Sequence, residues 1–192
     1  MTSSLLALLL SVAAVLPGIS PTPTSVPPSK FSAPPHVPAT ASRKSDQFSL
    51  SIPSIGLDAY IDSEGLGVDR TQIVPTSKNH ASWYKLGPLP GQPGSAVVAG
   101  HYKWIYGPAV FYRLRRLHQG DYVHVTLESG RRLQFVVEDV SVYTRENFPI
   151  SKVYLGDAVP RLNLVTCHGA LDPETDDYTH RLVVYSRLVS SR

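Results

Sequence analysis

Cysteine is almost absent from this chain of 192 residues, which contains only Cys167. A single cysteine excludes an internal disulfide framework and any zinc or iron–sulfur site built from several cysteines. Charge is also scarce, since Asp, Glu, Lys and Arg make up 17% of the residues and the net charge is +3. That charge gives no argument for nucleic acid, and there is no Gly-rich phosphate loop. We therefore expect no nucleic-acid partner, no metal and no cofactor.

The N-terminal residues 1–19 are predicted to be a signal peptide or a short signal anchor. Residues 5–16 are nearly all apolar, but this run is shorter than the roughly 20 residues that span a bilayer. No basic residue precedes it, so the usual start of a signal peptide is missing. Three interpretations stay open: a cleaved signal, a short anchor, or an anchor whose first residues are absent from this chain. Each of them places the remaining residues outside the cytoplasm, membrane-anchored or secreted.

Residues 20–45 are rich in Pro, Ser and Thr, and eight of the 17 prolines lie between Pro17 and Pro38. Such a segment buries too little apolar surface to offset the entropy cost of ordering it. We expect a disordered, extended spacer, in preference to a set of proline recognition motifs.

Residues 46–192 have the pattern of a β domain. Residues 48–52 alternate apolar and polar side chains, and residues 121–143 read as two strands joined by a turn at Glu128-Ser129-Gly130. Further β-rich runs lie at 95–101, 161–167 and 180–189, and residues 110–117 have the spacing of one short helix. The absence of a βαβ rhythm favours an all-β sandwich or barrel.

Cys167 is the first candidate for chemistry. It ends an apolar strand and precedes His168 and Gly169, so its sulfur is predicted to reach the surface. The alternative is a small buried apolar side chain, which is the usual fate of a lone cysteine. An unpaired cysteine in an exported chain is an oxidation liability, and this favours a functional thiol.

His101 and Arg181 are the candidate partners of this thiol. An imidazole can exchange a proton with a thiol and protonate a leaving amine. A guanidinium can donate hydrogen bonds to a developing oxyanion. The residues lie 66 and 14 positions from Cys167, so only a fold can bring the three together. The alternatives are a loop histidine and an edge charge.

Four stretches match, in order, the motifs of one known family: Trp83-Tyr84 with residues 87–97 and Gly100-His101; residues 111–121; Asn163-Leu164-Val165-Thr166-Cys167, for the family pattern T-L-x-T-C; and residues 181–184. On these motifs, from about Phe48 to Val189, the chain resembles a sortase, the cysteine transpeptidase of Gram-positive cell surfaces. It is most similar to the short class E and F enzymes of actinobacteria.

The resemblance implies a closed β-barrel of about eight strands with one or two short helices. It implies that Cys167 is the nucleophile, His101 the acid/base and Arg181 the group that stabilises the oxyanion or substrate. Thr166 and Val165 are implied to contact the substrate, Thr166 through its hydroxyl or through nearby backbone amides. The implied partners are an LPxTG-type sorting signal, cleaved between Thr and Gly, and an amine acceptor such as a peptidoglycan precursor.

Three features depart from this pattern or lie outside it. Asn163 replaces the first Thr of the family motif, and we expect its side chain to keep a hydrogen bond. His168 stands where relatives often have Gly, and we expect it to be inert on a loop. The acidic loop 170–179 is expected to be solvated or to tune substrate choice, in preference to binding calcium. Arg115, Arg116, Arg131 and Arg132 are expected to be solvated rather than a surface for anionic wall polymer.

Two other function classes are weighed against the transpeptidase. One is a non-catalytic barrel that binds a cell-wall peptide or surface protein, although such a module has no need of a free thiol. The other is a papain-like hydrolase, whose cysteine opens a helix near the start of the mature domain, unlike Cys167.

Overall fold

The computed structural model describes residues 48–68, 71–105 and 107–192. The predicted signal or anchor segment (1–19) and the linker (20–45) lie outside these residues. No helix in the described part of the chain is long and apolar enough to cross a membrane.

Strands dominate the described residues, accompanied by one short α-helix and two single 3-10 turns. The strands are β1 (Phe48–Ile52), β2 (Leu57–Glu64), β3 (His80–Tyr84), β4 (Gly94–Gly100), β5 (Lys103–Trp104), β6 (Gly107–Pro108), β7 (Tyr122–Thr126), β8 (Arg132–Thr144), β9 (Pro160–Asp172) and β10 (Asp177–Ser191). The helix is α1 (Ile150–Tyr154), and the 3-10 turns are Pro53–Ile55 and Leu114–Arg116.

Eight of these strands close into one barrel, in the order β1-β2-β3-β4-β9-β10-β8-β7. The pairs β2/β3 and β4/β9 are parallel, and the other neighbours are antiparallel. Strands β5 and β6 form a separate small hairpin just after β4. The predicted mainly β fold is confirmed, and closure leaves the barrel without a free edge strand.

Alternation along the strands decides which side chains fill the barrel. In β1, Phe48, Leu50 and Ile52 are all buried in the main core, as the sequence pattern predicted. The predicted hairpin of β7 and β8 is confirmed, with Val123 opposite Phe135 and both fully buried.

The helix predicted over residues 110–117 is wrong, because only the 3-10 turn Leu114–Arg116 forms there. The backbone N–H groups of Leu114, Arg116 and Leu117 donate to carbonyl oxygens three residues earlier, at 3.2, 2.9 and 3.0 Å. An α-helix needs bonds to carbonyls four residues earlier, so this segment has 3-10 geometry instead. Leu114 is still fully buried, so the apolar spacing marked core contacts rather than an α-helix.

A second, smaller apolar cluster lies on the outer face of the barrel wall. It comprises Val97, Val153, Val165, Val183 and Tyr185, with Tyr84, Tyr143, Phe148 and Tyr154 packed against it. Residues of β9 and β10 with the opposite parity, such as Leu164 and Leu182, belong to the main core. This outer patch and the end of β9 define the surface on which the candidate site lies.

Candidate active site

Cys167 lies on β9 with the same parity as Val165, and therefore on the outer face of the barrel. The thiol is free and its residue is partly buried. A cysteine on this face is neither part of the main core nor fully solvated.

Arg181 lies directly opposite Cys167, because β10 pairs antiparallel with β9 and the two residues are register partners. Side chains of directly opposed residues project to the same face, with Cβ atoms about 4.5–5.5 Å apart. The sequence separation of 14 residues is thus the length of one hairpin.

His101 follows the last residue of β4, and β4 runs parallel to β9. Their register pairs Ala99 with Val165. Continuing that register by two residues brings His101 level with Cys167. The two residues are 66 positions apart in sequence, as are the register partners Ala99 and Val165. The topology therefore brings all three predicted residues to one end of the β4, β9 and β10 surface.

The imidazole of His101 is held by two contacts. Its Nε2 lies 3.1 Å from the carbonyl oxygen of Pro75, and its ring packs edge-on against Trp104 with the centroids 4.9 Å apart. A carbonyl only accepts hydrogen bonds, so Nε2 must carry the proton in this contact. That leaves Nδ1 as the nitrogen with a free lone pair in the neutral ring.

Burial shifts the thiol and the imidazole in opposite directions. It raises the pKa of Cys167, and the nearby charge of Asp177 adds to the rise while that of Arg181 acts against it. Burial lowers the pKa of His101, partly offset by the hydrogen bond to Pro75. Both groups are therefore mostly uncharged at neutral pH, and the thiolate–imidazolium pair is a minor species.

The guanidinium of Arg181 is fixed by several acceptors. Its Nη2 donates to Asp177 Oδ2 at 2.6 Å, and its Nη1 donates to the carbonyls of Tyr178 and His180 at 2.9 and 3.1 Å. From the sequence, Asp177 is expected in a loop that is solvated or tunes substrate choice, and its contact with Arg181 is not predicted. No local signal marked it, because the contact depends on how β9 and β10 meet.

Thr166 has the opposite parity to Cys167, and only 3% of its surface is exposed. Its hydroxyl donates to the carbonyl oxygen of Gly100 at 2.8 Å. The Thr166 side chain thus links the residue before Cys167 to the residue before His101. Because the hydroxyl already donates to Gly100, we expect any contact of Thr166 with an acyl group to be made by its backbone.

Val165 and Asn163 share the face of Cys167. Val165 is 8% exposed and belongs to the outer apolar cluster. Asn163 is fully buried, and its Nδ2 donates to the carbonyl oxygen of Val153 at 2.7 Å. The expectation that Asn163 keeps a hydrogen bond is confirmed, and this bond attaches α1 to β9.

His168 and His180 are cross-strand partners with the opposite parity to Cys167. The ring of His168 packs edge-on against Tyr102, and burial lowers its pKa. The Nδ1 of His180 lies 2.8 Å from the hydroxyl of Thr179. By strand parity, both residues lie on the face opposite that of Cys167.

Within the described ranges, no group of three His, Cys, Asp or Glu residues is arranged to hold a metal ion. Two acidic side chains of loop 170–179 contact arginine instead, since Arg145 lies 3.5 Å from both Asp172 and Asp177.

Comparison with known proteins identifies the family of this domain. The family model of the sortase domain matches residues 50–189, so the chain belongs to the sortase family. No curated protein sequence matches the chain.

Solved structures with a similar fold include sortase A of Listeria monocytogenes, at 16% identity and a TM-score of 0.59, covering 76% of this chain and 88% of that one. Sortase A of Corynebacterium diphtheriae, as a lid mutant, has 22% identity and a TM-score of 0.60, covering 80% and 74%. Sortase C2 of group B Streptococcus pilus island 1 has 21% identity and a TM-score of 0.58, covering 74% and 73%. At these identities the likeness concerns the fold.

Proposed function

We propose that this chain is an extracytoplasmic cysteine transpeptidase that cleaves an LPxTG-type sorting signal between Thr and Gly and transfers the acyl group to a cell-wall amine. The observation that carries the proposal is the cross-strand pairing of Cys167 with Arg181, with His101 at the same level in the adjacent parallel strand. Family membership supports a transpeptidase in general terms.

In the first half-reaction, the Cys167 thiolate attacks the carbonyl carbon of the Thr residue. A carbon–sulfur bond forms, and the carbonyl oxygen becomes an oxyanion that accepts hydrogen bonds from Arg181. When this intermediate collapses, the Thr–Gly bond breaks and the imidazolium of His101 gives its proton to the leaving amine. The products are a thioester on Cys167 and a peptide with a free N-terminus.

In the second half-reaction, an amine attacks the thioester carbonyl and neutral His101 accepts the proton that the amine loses. The carbon–sulfur bond breaks, an amide forms, and the thiolate is restored. Because Nε2 of His101 is engaged by Pro75, we assign both proton transfers to Nδ1.

The sequence motifs and the outer apolar patch support more specific proposals about the substrate groove and the class of enzyme. We propose that Val165 forms part of the floor of the sorting-signal groove, and that the enzyme is of the class E or F type. We also propose that the barrel acts outside the cytoplasm, membrane-anchored or secreted, with a peptidoglycan precursor as the acceptor.

Incubation with a panel of LPxTG-type peptides, with and without amine nucleophiles, tests this function. The expected products are a cleaved peptide and, when amine is present, a new amide. The Cys167→Ala variant serves as the matched control and is expected to give neither.

Binding of sorting peptides without any cleavage, across the panel, would instead favour the non-catalytic binding module. That result would leave the assigned fold unchanged and would rule out the proposed transpeptidase activity.

A further inference from the structure

The Arg181 side chain bonds to a residue that lies earlier in its own strand. Its Nη2 donates to Asp177 Oδ2 at 2.6 Å, four residues earlier. The side chain of Arg181 is 24% exposed and that of Asp177 is 36% exposed, so solvent reaches this pair only in part. A charge-assisted hydrogen bond of this length, in partial shelter, restricts where the guanidinium can lie.

Asp177 is itself held by a second arginine. Arg145 lies just after β8, and its Nη1 is 3.5 Å from Asp177 Oδ2 and 2.9 Å from the hydroxyl of Thr175. Its Nη2 is 3.5 Å from Asp172 Oδ2. The connection between β9 and β10 is thus fastened to the end of β8 at the point where it supports Arg181.

The strand irregularity beside the site fits this arrangement. The register of β9 with β10 shifts between Tyr178 and His180, and Gly169 of β9 has a φ of +85° there, where glycine is favoured. A Cβ at Gly169 would lie 2.5 Å from the Thr179 hydroxyl. The bulge therefore sets the residues before Arg181 against β9 in one defined position.

The geometry points to Asp177 as a positioning residue of the transpeptidase: it orients the Arg181 guanidinium toward Cys167 while Arg145 holds the carboxylate in place. This inference rests on the proposed function for its purpose, but the placement of Arg181 can be measured without any peptide. The acidic loop, expected from the sequence to be solvated or to tune substrate choice, thus has a structural role.

Charged and titratable groups face the thiol from each packed element. Arg181, Asp177 and Tyr178 come from β10, His101 from the end of β4, and Arg145 reaches Asp177 from the end of β8. Of these groups, Arg181 is the one that favours the thiolate by its charge. The effect of Arg181 on the pKa of the Cys167 thiol therefore shows whether the guanidinium lies close to it.

A double-mutant cycle on thiol alkylation tests the inference. The rate at which iodoacetamide modifies the only cysteine is measured against pH, and Arg181→Gln is expected to move the profile to higher pH. The shift should persist beside Asp177→Asn, whose amide oxygen can still accept from Arg181, and be largely lost beside Asp177→Ala.

Asp176→Asn is the matched control, because it removes one carboxylate from the same loop at an exposed position. The shift caused by Arg181→Gln should be unchanged in that background. An equal shift in the Asp177→Ala and Asp176→Asn backgrounds, or no shift in the native loop, would overturn the inference. Thermal unfolding of each variant establishes that the barrel is intact.

A second readout concerns acylation by a sorting peptide. Asp177→Ala should lower the rate constant for thioester formation about 10–100-fold, a typical effect of a misplaced catalytic group, with KM changed less than about twofold. Asp177→Asn should lose less, and Asp176→Asn should match the wild type. If the wild-type protein forms no thioester, the proposed function fails while the alkylation cycle still decides the role of Asp177.

Discussion

At the scale of the residue, two histidines lie near Cys167 in different senses, one along the chain and the other across the strands. His168 adjoins Cys167 in sequence but has the opposite strand parity. His101 is 66 positions away but belongs to the surface that carries the thiol. Sequence proximity and strand register therefore favour different histidines, and we propose His101 as the one that exchanges protons at the thiol.

The His101→Ala variant is accordingly expected to lose nearly all transpeptidation, by about 10²–10⁴-fold, because the leaving amine then has no proton donor. His168→Ala is expected to keep most of the activity. Product formation from a cleaved peptide and an amine nucleophile, followed by chromatography, measures both. Full activity in His101→Ala combined with loss in His168→Ala would reverse the assignment.

The pH dependence follows from the directions of the two shifts. The pKa of His101 is lowered from 6.5, and that of Cys167 is raised from 9.0. The active form has one proton on the pair, so kcat/KM should follow a bell whose acid limb lies below pH 6.5 and whose alkaline limb lies above pH 9.0.

The two limbs of the bell have different causes. Activity falls on the acid side when the thiolate–imidazolium pair gains a second proton, and on the alkaline side when it loses its last one. A profile with a limb between pH 7 and 8 would contradict the burial that this account assigns to both groups.

At the scale of the element, parallel pairing of β4 with β9 holds the two halves of the site together. The hydroxyl of Thr166 bridges these strands by donating to Gly100 at 2.8 Å, next to both Cys167 and His101. Asn163 plays a comparable part on the outer face, where it attaches α1 to β9.

Thr166→Val is therefore expected to lower the free energy of unfolding by about 1–3 kcal/mol, because a buried carbonyl loses its donor. Activity should fall as well, since His101 follows the carbonyl that is released. Chemical denaturation and peptide cleavage measure the two effects. Thr166→Ser is the control that retains the hydroxyl, and equal stability of the Val and Ser variants would contradict the bridging role.

The sequence predicted the strands that carry clear alternation, and the resemblance supplied the barrel and the choice of Cys167, His101 and Arg181. The sequence pattern did not locate α1, which is five residues long and too short to show a helical period. Nor did it predict the contacts of Pro75 with His101 or of Asp177 with Arg181. These depend on how loops return to the barrel wall, and no local spacing encodes that.

At the scale of the whole molecule, closure of eight strands gives a rigid wall with different chemistry on its two faces. The inner face carries the main apolar core, and the outer face carries a smaller apolar patch beside the candidate site. The scarcity of cysteine and charge in the sequence fits this design, because the chemistry we propose uses one thiol, one imidazole and one guanidinium.

The proposed function requires that Cys167 forms a thioester with the acyl part of a sorting signal. Intact mass spectrometry after mixing with an LPxTG-type peptide tests it most directly, followed by peptide mapping and release with hydroxylamine. The expected result is a mass increase equal to the mass of the fragment ending in Thr less one water, located on Cys167 and absent from Cys167→Ala. Cleavage of the peptide by Cys167→Ala, or the absence of any adduct and cleavage across a panel of sorting peptides, would contradict it.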